Sequence, residues 1–426
     1  MEIGRSWDVI ARRLATALLT LWALAFWLSE GLLQGVASLS LLVCVVLVAG
    51  RRLALSREVR LPVVLALALA SWQAVSPLLA KLNGMPGFPP SGLWLHCLDT
   101  AALASAALLG GSVARWTPVE ATFLAGGALS VLMSFVQHQM RWAFPVPSFL
   151  RLPVDRVHET FGGEQRFAAG GFFFHRLRLA HASVAAFGPA LAAALRSLST
   201  RRRLLGAALC LTCLACIVLT YARAALLTVA FLVMAAGVGL ARGWARRVLM
   251  SGVAVLAILA LVSPGWRARL EEASGNFLGG ERMVARVAGW DLIRQHPVLG
   301  VGFGNYRRAA LDRAPVTGIT DQLSRDAHAI VLTVWAETGL VGLTLFVALH
   351  SALVLSFYRR ARAGNWAALG ALLSWVGYQV LGVAHYLPFH PSVSLAFAFV
   401  WAAGLVHPGD GSPSPMARTA AIDTTA

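Results

Sequence analysis

Three short stretches of the chain place charge where charge is costly. In RDAHAIVL, residues 325–332, Arg325, Asp326 and His328 stand directly before a long apolar run, and Glu337 follows inside that run. In LTYARAALLTVA, Arg223 is the only charged residue between Leu204 and Leu240. In ERMVARVAGWDLIRQHPVLGVGFGNYRRA, residues 281–309, Arg282 and Arg286 are neighbours on one helical stripe, with Met283, Val287 and Trp290 on an adjacent apolar one. Arginine binds phosphate and carboxylate oxygens as a bidentate fork, and histidine, titrating nearest neutral pH, is the usual group for moving a proton.

Each stretch also has a plainer reading. Arg223 could snorkel to a membrane interface, Arg282 and Arg286 could be solvated on a surface helix, and His328 could cap a helix end. At the N-terminus of the helix that follows, free backbone N–H groups and the helix dipole favour an anion and keep His328 neutral, able to act as a base. Glu337, about two and a half turns further on, falls near the opposite face and reads as a buried structural carboxylate. His296-Pro297 ends the helix of the third stretch, and GVGFGN would let backbone approach a ligand closely. No strand precedes these glycines, so they are not the fingerprint of a dinucleotide fold.

The elements that must hold these residues are set by the solvent. With 58% hydrophobic and 13% charged residues, against ~25% charged in soluble domains, the chain cannot coat a soluble globule and reads as an all-α polytopic membrane protein. Runs able to cross a ~30 Å hydrocarbon core, about 20 helical residues each, fall at about 14–29, 31–50, 61–80, 97–114, 118–137, 179–196, 204–220, 224–240, 247–264, 329–357, 366–385 and 392–407. Leu204–Leu240 is too long for one span and is broken at Thr220–Arg223.

This gives about twelve transmembrane helices: nine within 1–264, including an outer loop at about 138–178; a large outer loop at 265–328 containing short helices; three more helices within 329–407; and a tail, 408–426, expected to be disordered. Short connections alternate in charge. One set holds Arg12, Arg13, Arg51, Arg52, Arg115, Arg201, Arg202, Arg203, Arg246, Arg247, Arg359 and Arg360, whereas the other short set holds only Lys81 and Arg223. By the positive-inside rule the first set and both termini are cytoplasmic. Most of the net charge of +17 is therefore topology, which argues against a nucleic-acid partner.

The uncleaved N-terminus reads as the first helix. Cys210, Cys213 and Cys216 read as packing thiols, and Cys44 and Cys97 imply no disulfide framework. Both long loops fall on the outer face, as do His96, His138, His158, His175, His181, His296, His328, His385 and His390. The outer acids Glu271, Glu272, Glu281, Asp312 and Asp321 lack metal-ligand spacing, and no D-x-D occurs; neither a metal nor another cofactor is expected.

Together the three stretches resemble the O-antigen ligase and polymerase superfamily of bacterial envelope enzymes. The resemblance rests on Arg223 at the head of a span, on Arg286 four residues before Trp290, on His296-Pro297 leading to Gly300, Gly302, Gly304 and Asn305, and on His328 nine residues before Glu337, Gly339 and Gly342. It covers roughly residues 220–345. Ala329, where the family often has asparagine, and Arg176 and Arg178 depart from the pattern.

The resemblance implies an inner-membrane glycosyltransferase with a periplasmic site, moving glycan from undecaprenyl pyrophosphate to an acceptor hydroxyl. For a ligase the acceptor is a sugar of lipid A-core; for a polymerase it is another lipid-linked repeat. Two substantial outer loops around a basic site favour ligase. His328 would be the base, Arg223 and Arg286, with Arg282, would hold the pyrophosphate, and Arg325, Arg178, His175 and Tyr306 are candidate acceptor or donor contacts. Such a metal-independent displacement would invert the anomeric centre. A lipid-linked oligosaccharide transporter is the competing class, but no internal repeat is evident.

Overall fold

The computed structural model describes residues 2–49, 57–85, 87–89, 92–113, 115–141, 158–161, 164–173, 175–267, 280–321 and 323–410. Each of the twelve apolar runs folds as a helix. In chain order the helices are α1 (Glu2–Leu28), α2 (Glu30–Ala49), α3 (Arg57–Ala80), α4 (Cys97–Ser112), α5 (Thr117–Met140), α6 (Arg176–Arg196), α7 (Thr200–Leu219), α8 (Arg223–Gly239) and α9 (Gly243–Val262). The short α10 (Glu281–Gln295), α11 (Tyr306–Asp312) and α12 (Ala314–Thr317) precede α13 (Ile330–Arg362), α14 (Trp366–Gly382) and α15 (Pro391–Val406).

Eight of these are long and apolar enough to cross a membrane, and α4, α8, α14 and α15 are apolar but shorter. The fold is all-α and polytopic apart from a small antiparallel hairpin, β1 (His158–Phe161) with β2 (Glu164–Phe167), in the first long loop. The chain is a membrane protein on the strength of these helices.

Three of the shorter helices, α4, α14 and α15, are largely surrounded by protein, whereas α8 is buried on one side only. A helix of 16 residues is ~24 Å long, less than the ~30 Å of a hydrocarbon core. α15, however, is apolar on every side and buried except at Ser394 and Ala403. Inside a lipid environment helices gain little from burying apolar surface against each other, so close backbone approach does more. A β-carbon on Gly188 of α6 would lie 2.5 Å from the backbone nitrogen of Ser374 in α14, and one on Gly404 of α15 would lie 2.2 Å from the Ala371 side chain. Cys213 and Cys216 are buried as free thiols, as packing requires.

The chain breaks at Thr220–Arg223 as its length demands. Tyr221 takes φ 51°, and the Arg176 guanidinium covers the end of α7 by donating to the Thr220 carbonyl at 2.8 Å. At the basic end of the bundle Arg202 pairs with Glu120 and Asp410, and His407 Nε2 lies 2.9 Å from Glu120. Pro408–Asp410 are thus tied down rather than disordered, because Asp410 also accepts from Ser197 Oγ and Leu198 N, each at 2.6 Å. The remainder of the expected disordered tail, 411–426, lies outside the described residues, as do 142–157 and 268–279 of the long loops.

At the opposite end the second long loop has an apolar core of its own. Ala285, Ala288, Leu292 and Ile293 of α10 pack with Val301, Tyr306, Ala309, Ile319, Ala327 and Ala336. α10 turns Met283, Val287 and Trp290 outward, the apolar stripe expected of a helix lying in a membrane interface.

Candidate functional site

α13 is not one continuous helix. At Gly339 the backbone takes φ 65°, ψ −170°, and the His296–Asn305 segment docks into the break. Leu340 N donates to Pro297 O at 2.9 Å, Val301 N to Ala336 O at 2.9 Å, and Gly302 N to Glu337 O at 2.8 Å. The glycines serve this docking. A β-carbon on Gly300 would lie 2.4 Å from Glu337 O, and one on Gly339 would lie 2.0 Å from Val298 O. The expectation that GVGFGN brings backbone close to a ligand is therefore corrected: at Gly300 and Gly339 the close approach is between two stretches of the chain's own backbone.

Glu337 completes the clasp. Buried, it accepts from Gly304 N at 3.2 Å and from the Tyr386 hydroxyl at 3.1 Å, which joins the loop, the broken helix and the α14–α15 connection. It is the structural carboxylate expected. The helical-face argument for separating it from His328 does not apply, however, since His328 precedes the helix.

His328 adopts φ 50°, a left-handed conformation that costs a non-glycine residue roughly 1–2 kcal/mol. Local bonds hold it there. His328 N donates to Asp326 Oδ1 at 2.6 Å, Ala327 N donates to Thr333 Oγ1 at 3.0 Å, and the same Thr333 hydroxyl donates to Ala329 O at 3.0 Å. The His328 ring turns Nδ1 toward Asp326, 3.5 Å from Oδ1. Asp326 is buried, and burial raises its pKa even though His328, Arg325 and Arg282 pull it down. No side chain caps the N-terminus of α13.

The C-terminal end of α14 brings two of the candidate stretches together. Ile330, two residues past His328, packs against Gly382, where a β-carbon would lie 2.5 Å from its Cδ1. Arg286 reaches the next carbonyl, donating from Nη2 to Val383 O at 2.9 Å. Thr228 and Leu232 of α8 border Gly377. Arg223 is five residues outward from Thr228, and Gly382 five residues outward from Gly377 on a helix running the other way. Both steps are ~7 Å, so Arg223 comes level with Gly382 and Val383. His328 and Arg286, from two separate stretches of sequence, thus border one helix end, and Arg223 lies at the same level on the neighbouring α8.

The remaining candidates divide. Arg282 is exposed and shares the electrostatic surroundings of Arg286 and Asp326, and Arg325 lies near enough to His175 and His390 to act on both. Arg178 pairs with Glu30 of α2. His175 caps α6, its Nδ1 accepting from Leu177 N at 3.2 Å. Burial, then Arg176, Arg178 and Arg325, push its pKa down to about 4, so it is neutral at physiological pH. Tyr306 is 1% exposed and its hydroxyl donates to Ala285 O at 3.0 Å. That correction makes it a packing residue of the loop core rather than a substrate contact. Tyr386 and His385 carry no motif and join the site only through tertiary packing.

No curated protein matches the chain. Residues 208–347, which run from α7 to the middle of α13 and include Arg223, Arg286 and His328, match the family described as O-antigen ligase (Wzy_C), and this match supports membership of the O-antigen ligase/polymerase superfamily.

Proposed function

We propose that the protein is an O-antigen ligase of the bacterial inner membrane, with its loop end periplasmic and its basic end and both termini cytoplasmic. It transfers glycan from undecaprenyl pyrophosphate to a sugar hydroxyl of lipid A-core. The observation that carries this reading is the approach of an Asp326–His328 pair and Arg286 to the C-terminal end of α14, with Arg223 level with them on α8.

A diphosphate-linked sugar is already activated, so the reaction has two costs: removing the acceptor proton and accommodating negative charge on the departing diphosphate. Asp326 beside Nδ1 favours the tautomer that leaves the Nε2 lone pair free. Nε2 takes the acceptor proton as the acceptor oxygen bonds to the anomeric carbon and the bond to the phosphate oxygen breaks. Attack opposite the leaving group inverts the anomeric centre. Arg223 and Arg286, with Arg282 beside them, hold the diphosphate and stabilise its growing charge. Arg325, Arg178 and His175 line the neighbouring side of the site, toward the acceptor or the donor glycan.

The test uses purified protein in lipid with undecaprenyl-pyrophosphate glycan, lipid A-core and a chelator, the products being separated on a gel. Glycan moved onto lipid A-core supports a ligase that needs no metal. Lengthening of the lipid-linked glycan instead makes it a polymerase, the other activity of the superfamily, and absence of both products removes the transferase reading. Arg223→Ala and Arg286→Ala are each expected to weaken donor binding roughly 10- to 100-fold, as loss of a charged hydrogen bond does. Unchanged donor affinity in both would remove the diphosphate assignment.

A further inference from the structure

The transfer chemistry leaves unused a group of histidines at the same end of the bundle. His181 lies on the second turn of α6, and His385 and His390 lie on the connection between α14 and α15. The rings of His181 and His385 are 4.9 Å apart. His385 in turn lies within the electrostatic reach of His328 and Arg282, and His390 within that of Arg178, His175 and Arg325. The group therefore extends from the candidate base to the arginines on the α6 side.

His181 is the informative member. It is 1% exposed, and neither of its ring nitrogens has a hydrogen-bonding partner among the described residues. Buried polar groups are nearly always hydrogen-bonded, and one left unpaired is costly. α6 is otherwise built from alanine, leucine, valine, phenylalanine and glycine at its buried positions, with Arg176 and Ser183 each donating to backbone carbonyls. An apolar residue at 181 would fit that surface at lower cost.

The character of the group narrows its ligand. Burial, followed by neighbouring arginines and histidines, pushes His385 and His390 down to about 3, so both are neutral. A neutral imidazole offers one donor and one acceptor, which matches a hydroxyl and offers little to a diphosphate. The arginines offer the reverse.

We infer that His181, with His385 and His390, forms a hydroxyl-binding wall beside His328 that holds a sugar ring of a glycan substrate. The inference rests on the glycan-transfer reading above. It divides the site into a cationic side for the diphosphate and a neutral histidine side for sugar.

The experiment compares His181→Phe and His181→Asn with wild type. KM is measured separately for lipid A-core and for lipid-linked glycan, and thermal unfolding is followed with and without each. His181→Phe is expected to fold with a Tm at or above that of wild type, since two unpaired nitrogens are removed. Its KM for one substrate should rise about tenfold, the scale of one or two lost hydrogen bonds, with partial recovery in His181→Asn. A rise confined to lipid A-core assigns the wall to the acceptor, and a rise confined to lipid-linked glycan assigns it to the donor. Unchanged KM for both in a folded His181→Phe overturns the wall.

Should His181→Phe not fold, His385→Asn is read by the same criteria. If wild type transfers no glycan, the transfer reading fails by itself and the wall is judged by binding. A glycan-induced rise in Tm that His181→Phe loses supports the wall, and absence of any such rise in wild type overturns it.

Discussion

Gly300→Ala puts the docking of the loop into α13 to a direct test. The new β-carbon would stand 2.4 Å from Glu337 O and 2.6 Å from Gly339 N, and Gly300 has φ +71°. Backbone atoms on both sides leave nothing flexible to yield, so the loop must back away. The left-handed conformation alone costs alanine ~1 kcal/mol. Backing away also releases the bonds from Val301 N to Ala336 O and from Gly302 N to Glu337 O, at ~1 kcal/mol each. The sum is ~3 kcal/mol, or roughly a hundredfold shift toward the undocked loop.

Gly318 supplies the control, because it has φ +70° with open space around its Cα, and Gly318→Ala should show the conformational cost alone. Hydrogen exchange of residues 296–305, limited proteolysis and glycan transfer are measured on both variants. The expected result is rapid exchange and a large loss of transfer in Gly300→Ala, with the helical bundle intact and Gly318→Ala close to wild type. Equal behaviour of the two variants would refute the assignment of Gly300 to backbone docking.

The other expectations are shorter. His328→Ala should lower transfer by ~10²- to 10⁴-fold, the usual worth of a positioned base, with unchanged thermal unfolding; near-normal turnover would remove it as base. Asp326→Asn should lower turnover yet raise stability at neutral pH. A carboxyl whose pKa is raised on folding contributes stability that is present at low pH and lost as pH rises through the folded value. Unfolding scans at acid and neutral pH should therefore show the asparagine advantage only in the latter, and equal gains at both would contradict it. Arg202→Ala should destabilise the basic end by about 2 kcal/mol, because it leaves Glu120 and Asp410 partly buried without their cation. Faster proteolysis near residue 410 with unchanged donor affinity is the expected readout.

How far the sequence carries depends on which physical constraint acts at each residue. Hydropathy locates all twelve helices because lipid forces every backbone polar group into a helix or a closed barrel. The break at Tyr221 is legible because Leu204–Leu240 exceeds the thickness of a bilayer. The break at Gly339 is not, because the residues on both sides of it, 330–338 and 340–357, read as one apolar run. Only the docked His296–Asn305 backbone shows that the helix is interrupted. The glycines of that segment announce close approach without saying to what, and the sequence reading assigns it to a ligand where the structure assigns it to Ala336–Gly339.

His328 and Arg286 are legible as types able to do chemistry, but their meeting is not. It depends on Gly382 being small enough for Ile330 and on a carbonyl at Val383 that is free to accept from Arg286. Arg286 thereby has two claims on it, since the guanidinium that satisfies the end of α14 is the one proposed to bind diphosphate. A guanidinium has five N–H donors, and the bond to Val383 engages Nη2. That bond fixes the plane of the fork while other donors remain for the substrate. Lysine, with a freely rotating ammonium, would keep the charge and lose the fixed plane. Arg286→Lys is therefore a harsher change than its chemistry on paper suggests.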